Sequence, residues 1–337
     1  MATQALPKGS FPTMITPFIE EGEHAGEIDY PIVKRLVNWY IASGCAGIFS
    51  PCLSSEMYDL KPEERLELSR FIKETIDGRC ALVSTGTFGG DLSIEEMAEF
   101  TKKIAQNCDA AVVITCHLDP DNEGDEVWKS NCQKFLDLTP GLSLGLYECP
   151  VPYKRVLSPE LLAWAAGTGR FLFHKDTCCD EDQMAAKLKA VQDVGEAAAS
   201  FRFYNANVET IAFSTANGGA GFSGISANFY PQLHSWLVKT MQDEEFAQDP
   251  ILQKQVEDVQ DFFSLAELTV CVNYPASAKE YLRTCYPDFP ISSYCRKFAR
   301  DGGEQPVFTR QDTIRLHAMH RLQRMISQRM EVIDEKP

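Results

Sequence analysis

A lysine enclosed in an apolar run carries the most chemistry in this sequence. Lys175 lies in FLFHKDT, residues 171–177, a stretch composed like a β-strand. Burial disfavours an ammonium and lowers its pKa. The neutral amine is then a nucleophile able to condense with a carbonyl group. A second reading pairs Lys175 with Asp176 or another buried carboxylate, and strand position alone leaves the two readings open. Tyr147 lies in GLYECPVPYKR, residues 145–155, one strand–helix step earlier. Its phenol can move protons while a carbinolamine forms and loses water. The plainer reading is a core tyrosine with a satisfied hydroxyl.

Other polar groups occur at corresponding places. Ser54, Ser55 and Glu56 follow the apolar residues 47–52, and Asn205 and Asn207 follow residues 201–204. Metal chemistry has little support. The twelve cysteines include no C-x-x-C pair, so zinc-type spacing is missing. Many sit in apolar runs, where a free thiol behaves as a small hydrophobe. His317 and His320 form an H-x-x-H pair with no adjoining carboxylate or cysteine signature and read as surface residues. An imine supplies the electron sink that a metal would otherwise provide, so no metal and no other cofactor is expected.

Groups spread over four strand ends need a frame that brings those ends together. Strand-like runs occur at residues 11–18, 47–52, 81–86, 110–116, 142–149, 171–177, 201–206 and 221–228. Segments of helical periodicity alternate with them. Asp29 to Ser43 places Ile32, Val33, Leu36, Val37, Tyr40 and Ile41 on one face. Ser93 and Glu96 form a capping box, and Ser158-Pro159 pairs an N-cap with a proline at the first helical position. Eight such repeats within residues 10–245 predict a (β/α)8 TIM barrel, an α/β fold of roughly 250 residues. An open doubly wound sheet would show a glycine-rich turn after its first strand, and PTMITPF leads into none. Residues 246–337 carry helical periodicity only and read as a C-terminal helical extension, with a last helix near residues 310–330.

Composition narrows the partners. Among 337 residues, 32 are basic and 48 acidic, a formal charge of −16. Such a surface repels nucleic acid and anionic membrane, so neither is an expected partner. No run of about 18 apolar residues is present to span a bilayer. MATQALPKGS, the first ten residues, lacks the apolar run of a signal peptide. With unpaired cysteines, this gives a cytoplasmic, reducing location as the expectation.

Taken in order, PTMITPF, the tyrosine in YECP, the lysine strand FLFHKDT and GGAGFSGISAN (residues 218–228) resemble the pyruvate-dependent class I lyase and aldolase superfamily, which includes dihydrodipicolinate synthase and N-acetylneuraminate lyase. The resemblance spans roughly residues 10–300. It implies that Lys175 forms a Schiff base with pyruvate or a related 2-keto acid and that Tyr147 shuttles protons. The family's G-T-T-G-E loop is Cys52-Leu53-Ser54-Ser55-Glu56 here, so Ser54 and Ser55 are the implied carboxylate binders, while Leu53 replaces the first threonine. Ser223 is implied near the keto acid, and Asn205, Asn207 and Glu209 near the tail of a second substrate, an aldehyde. Tyr153, Lys154 and Arg155 are candidates to meet an anionic group.

Two departures argue against dihydrodipicolinate synthesis itself. Pro152 stands where those enzymes carry a substrate-binding arginine. TCHLDPD (residues 115–121) lacks the tyrosine that they lend to a neighbouring subunit. His117 stands in that region, with a proton relay and a surface loop as its two readings. The resemblance further implies a homo-oligomer, a dimer or a tetramer. Making or breaking a carbon–carbon bond is the expected reaction. A sugar-acid dehydratase using the same imine, or a non-catalytic keto-acid-binding barrel, are the alternatives.

Overall fold

Seven of the eight apolar runs contribute a short parallel strand in the computed structural model, which describes residues 4–90 and 92–337, and the remaining strand forms just before the run at residues 11–18. The strands are β1 (Gly9–Ser10), β2 (Gly47–Phe49), β3 (Ala81–Thr85), β4 (Ala110–Ile114), β5 (Leu144–Tyr147), β6 (Phe171–Asp176), β7 (Phe203–Asn205) and β8 (Gly221–Phe222). Between and after them run α1 (Tyr30–Ala42), α2 (Pro62–Ile76), α3 (Ile94–Ile104), α4 (Asp125–Leu138), α5 (Pro159–Gly167), α6 (Glu181–Asp193), α7 (Ile211–Ala216) and α8 (Pro231–Met241). The helix starts follow their local signals. Ser93 accepts from Glu96 N, and Ser158 accepts from Leu161 N.

The strand order is β1-β8-β7-β6-β5-β4-β3-β2, every pairing parallel. The seam between β1 and β2 is held by a bridge from Thr13 to Phe49, with Met14 N donating to Phe49 O and Phe49 N to Pro12 O. The result is the expected (β/α)8 barrel. Catalytic groups in such barrels gather at the C-terminal ends of the strands.

Two expected strands depart most from their sequence runs. The run at residues 11–18 forms no ladder: β1 is Gly9–Ser10, just before it, and within it Thr13 and Phe18 make only isolated bridges. Pro12 and Pro17 lack the N–H that a ladder needs. The run at 221–228 ends as a strand at Phe222 and turns into a 3-10 helix at Ile225–Asn228. There the Asn228 amide donates to Thr13 O and Ile225 O and so ties the two short strands' sequels together.

Inside the barrel, Phe11, Phe49, Val83, Val112, Phe173 and Tyr204 share one apolar cluster. The C-terminal segment forms α9 (Pro250–Val270), α10 (Ala276–Cys285), α11 (Arg296–Ala299) and α12 (Arg310–Arg329). It shares a core with the barrel. Phe262 and Phe263 of α9 pack on Tyr230 and on His234 of α8, with the His234 and Phe263 rings stacked 4.2 Å apart. His320, expected at the surface, accepts or donates a 2.9 Å bond with Tyr281 Oη and packs edge-on against Tyr286. The reason is that α12 lays this face on α10. His317 is likewise half-buried. All twelve cysteines are free thiols.

Candidate active site

Strand alternation decides where Lys175 points. Successive side chains on a strand face opposite sides of the sheet. On β6, His174 and Asp176 face the helix layer, and Lys175 faces the barrel interior. Asp176 Oδ1 accepts from Lys187 Nζ of α6 at 2.6 Å, so Asp176 is not the partner of Lys175. Among the described residues no carboxylate lies within ion-pair distance of Lys175. Its ammonium nitrogen is 4.5 Å from the centroid of the Tyr147 ring and 5.8 Å from that of Phe49. Lys175 is 4 % exposed. Desolvation lowers its pKa to about 8, with the thiols of Cys52 and Cys149 opposing.

Tyr147 stands beside it because β5 and β6 pair these two residues in register. Its ring packs edge-on against Phe49. Burial holds the phenol well above its usual pKa, so it enters any reaction protonated, as a donor. The flanking residues fix both side chains. Glu148, next to Tyr147, and Asp176, next to Lys175, each accept from Lys187 Nζ at 2.6 Å. Glu148 also accepts from Leu157 N and Thr177 N. One buried lysine on α6 thus clamps the ends of β5 and β6 together. Glu148, His174 and Asp176 together have the composition of a metal site, but the Lys187 ammonium already takes the cation's place between the carboxylates.

The loop after β2 carries Ser54 and Ser55. Ser55 Oγ donates to Met14 O at 2.6 Å and accepts from Cys52 N, so that hydroxyl holds the loop to the segment after β1. Ser54 Oγ donates to Thr13 Oγ1 at 3.0 Å. Glu56 is buried, with its carboxylate 2.8 Å from Lys279 of α10, which anchors the loop from outside. At the end of β8, Phe222 stacks on His234 in the helix layer, and Ser223 follows it on the opposite face. Ser223 Oγ is buried and has no hydrogen-bond partner among the described residues.

The remaining expected residues are mostly engaged elsewhere. The Asn205 amide donates to Thr210 and Ser214 and accepts from Asn207 N, holding the start of α7. Asn207 Oδ1 accepts from Glu209 N. Arg155 is buried against Asp119 at 2.7 Å and Asp125 at 2.9 Å. Its charge is therefore spent inside the protein. His117 is not on a surface loop but 6 % exposed. Its Nε2 is 3.3 Å from Tyr58 Oη, and its Nδ1 is 3.1 Å from Thr87 Oγ1. Burial lowers the imidazole pKa to about 4, so it is neutral near pH 7.

Sequence reading missed Tyr58, Thr87, Cys149 and Lys187. Tyr58 and Thr87 each follow a strand, so the strand-end rule would have found them had it been extended by two to nine residues. Nothing local marks Lys187, which sits on an ordinary amphipathic helix.

A model of the dihydrodipicolinate synthetase family matches residues 6–293. Among curated proteins, the chain is 27 % identical over 240 residues to a 4-hydroxy-tetrahydrodipicolinate synthase of Polynucleobacter asymbioticus, covering 70 % of this chain and 74 % of the other. It is 24 % identical over 238 residues to that of Methylibium petroleiphilum, covering 69 % and 75 %. Among solved structures, dihydrodipicolinate synthase from Thermotoga maritima superposes with a TM-score of 0.77 at 17 % identity, covering 95 % of this chain and 99 % of that one. A prophage protein of the same family from E. coli K12, solved in complex with pyruvate, superposes with a TM-score of 0.73 at 21 % identity, covering 96 % and 99 %.

Proposed function

Because this chain belongs to the dihydrodipicolinate synthetase family, whose members are class I lyases and aldolases, we propose that it is a Schiff-base-forming lyase or aldolase acting on pyruvate or a related 2-keto acid. The observation that carries this reading is Lys175, a buried lysine without a carboxylate partner among the described residues, facing the interior with the Tyr147 ring 4.5 Å from its nitrogen. A lysine kept for structure in such a place would have a counter-ion, since an unpaired buried charge is costly. A lysine kept for nucleophilic attack is better without one, because the neutral amine is the reactive form.

In the proposed reaction Lys175 attacks the keto carbon, and Tyr147 gives its proton to the departing oxygen. The imine then draws electrons from the methyl carbon, where a bond to an aldehyde carbon forms or breaks. Ser54 and Ser223 are the proposed contacts to the keto acid. The unpartnered hydroxyl of Ser223 supports its part. Ser55 acts through the shape of the loop, its own hydroxyl being bonded to Met14 O. Asn207 is the proposed contact toward the second substrate, and Asn205 supports it from behind. The engaged Arg155 and Pro152 leave no guanidinium at that wall among residues 150–155, which supports a second substrate other than an amino-acid semialdehyde. We also place the protein in the cytoplasm, on its twelve free cysteines, and as a dimer or tetramer, on the family resemblance.

The test is borohydride trapping with pyruvate, read by peptide mass spectrometry. A reduced adduct on Lys175 is expected. Failure to trap pyruvate or any of a panel of 2-keto acids would leave a barrel whose lysine is structural.

A further inference from the structure

Loss of water from a carbinolamine needs a proton on the departing oxygen. In the proposed function, on which this inference rests, Tyr147 supplies it. The phenol must then be reprotonated, yet Tyr147 is 3 % exposed and bulk water does not reach it freely. A second donor inside the protein would recharge it faster, and four successive strand ends place one nearby. Tyr58 follows β2, Thr87 follows β3, His117 follows β4, and Tyr147 ends β5. Tyr147 and Cys149 belong to one buried interior cluster, and Tyr58 packs against that cluster, so the two phenols border the same part of the barrel interior. Tyr58 is half-buried where Tyr147 is enclosed, so it joins the interior to the mouth of the barrel.

The hydrogen bonds around Tyr58 have a direction. Thr87 Oγ1 accepts from Ile114 N at 2.9 Å. His117 Nδ1 lies 3.1 Å from that hydroxyl. Tyr58 Oη gives its proton to Val151 O and so can only accept from the imidazole, which assigns the ring proton to Nε2, from the network rather than from observed hydrogens. Nε2–H then donates to Tyr58 Oη, and Tyr58 donates to Val151 O at 3.1 Å. A fixed N–H aimed at a phenol oxygen stabilises the charge that develops as the phenol gives up its proton. Gly89 keeps the ring in place. At its φ of +61°, an added Cβ would stand 2.5 Å from the His117 imidazole.

We propose that Tyr58 is the in-chain proton donor that recharges Tyr147, with His117 as its positioning residue, so that a single chain holds the whole proton path of imine formation. The amine nitrogen of Lys175 bonds to the keto carbon, and one N–H proton passes to the carbonyl oxygen. Tyr147 then protonates that hydroxyl, the C–O bond breaks, and water leaves. The nitrogen lone pair forms the C=N bond of an iminium that keeps its remaining proton. Tyr58 returns a proton to Tyr147 and recovers its own from water at the mouth. One proton is taken from solvent, as the conversion of a neutral amine and a ketone to an iminium and water requires.

The test follows the full-length chain mixed with pyruvate, quenched with borohydride at successive times and read as adduct on Lys175. Tyr58→Phe should slow the approach to the plateau roughly 10- to 100-fold, the lower reach of a positioned proton-transfer group. The plateau itself should not change, because a relay speeds both directions equally. His117→Leu should slow it as well, and His117→Gln, which keeps an N–H donor, should recover part of the rate. An unchanged rate in Tyr58→Phe overturns the relay and leaves the Schiff-base function standing. A lowered plateau with an unchanged approach also overturns it, since Tyr58 would then be a binding residue. No adduct in the unmodified chain overturns the Schiff-base function and the relay with it.

Discussion

Lys175 sits beside the rings of Phe49 and Tyr147, and among the described residues no carboxylate pairs with it. Its pKa of about 8, against an ordinary 10.5, follows from desolvation. Imine formation should therefore accelerate as pH rises toward about 8 and level off above it, which timed borohydride trapping across pH would show. The same depression has a stability cost. The unfolded chain takes up the proton below about 10.5, and the folded chain only below about 8, so the folded state is penalised by about 3 kcal/mol below pH 8. Lys175→Met should form no adduct and be more stable by that order. The difference should shrink as pH rises from 8 to 10.5, as denaturant melts at several pH values would reveal. At Tyr147 the loss of the hydroxyl alone, in Tyr147→Phe, should slow imine formation by roughly 10²–10⁴-fold with the fold intact.

The strand ends of β5 and β6 are held by α6. Lys187 is fully buried, and its ammonium is 2.6 Å from both Glu148 and Asp176. These carboxylates are the immediate neighbours of Tyr147 and Lys175, so the ion cluster on the outer face sets the register of the reacting pair on the inner face. Removing one member of a buried cluster leaves uncompensated charge, typically a loss of about 3–5 kcal/mol. Lys187→Met is expected to lose stability of that size in urea melts and to slow trapping, although it touches no substrate. A variant as stable as the parent would show that the cluster does not clamp these strands. The run FLFHKDT announced a strand but not this clamp, because its charged partner lies eleven residues on, upon a helix whose pattern is that of any surface helix.

The barrel and the C-terminal helices share one hydrophobic core. Phe262, Phe263, Val259 and Val270 of α9 are buried in the same cluster as Tyr40, Tyr230 and Leu233. Lys279 of α10 reaches back to Glu56 in the loop that follows β2. Each large apolar side chain uncovered costs about 1.5–3 kcal/mol, and a domain's total stability is only about 5–15 kcal/mol. A chain ending at residue 245 is therefore expected to aggregate or lack a cooperative thermal transition, measured by calorimetry against the full chain. A soluble, cooperatively melting fragment would show that the barrel is independent. The sequence boundary at 246 marks where strands cease, not where one core ends.

The sequence by itself determined the alternation of strands and helices, the barrel it closes into, and the candidacy of Lys175 and Tyr147. Those are local signals, written in hydrophobic period, caps and residue type within a few positions. Tertiary structure decided everything that depends on direction and distance. It turned Lys175 inward and Asp176 outward, spent Arg155 on Asp119, and withdrew the Asn205 amide and the Ser55 hydroxyl into the frame. It also buried His117 against Tyr58 and Thr87, where a loop position in the sequence left a surface residue equally open. The physical reason is the same in each case. A polar side chain takes its role from the partner that satisfies it, and these partners lie on other elements, from 5 to 59 residues away.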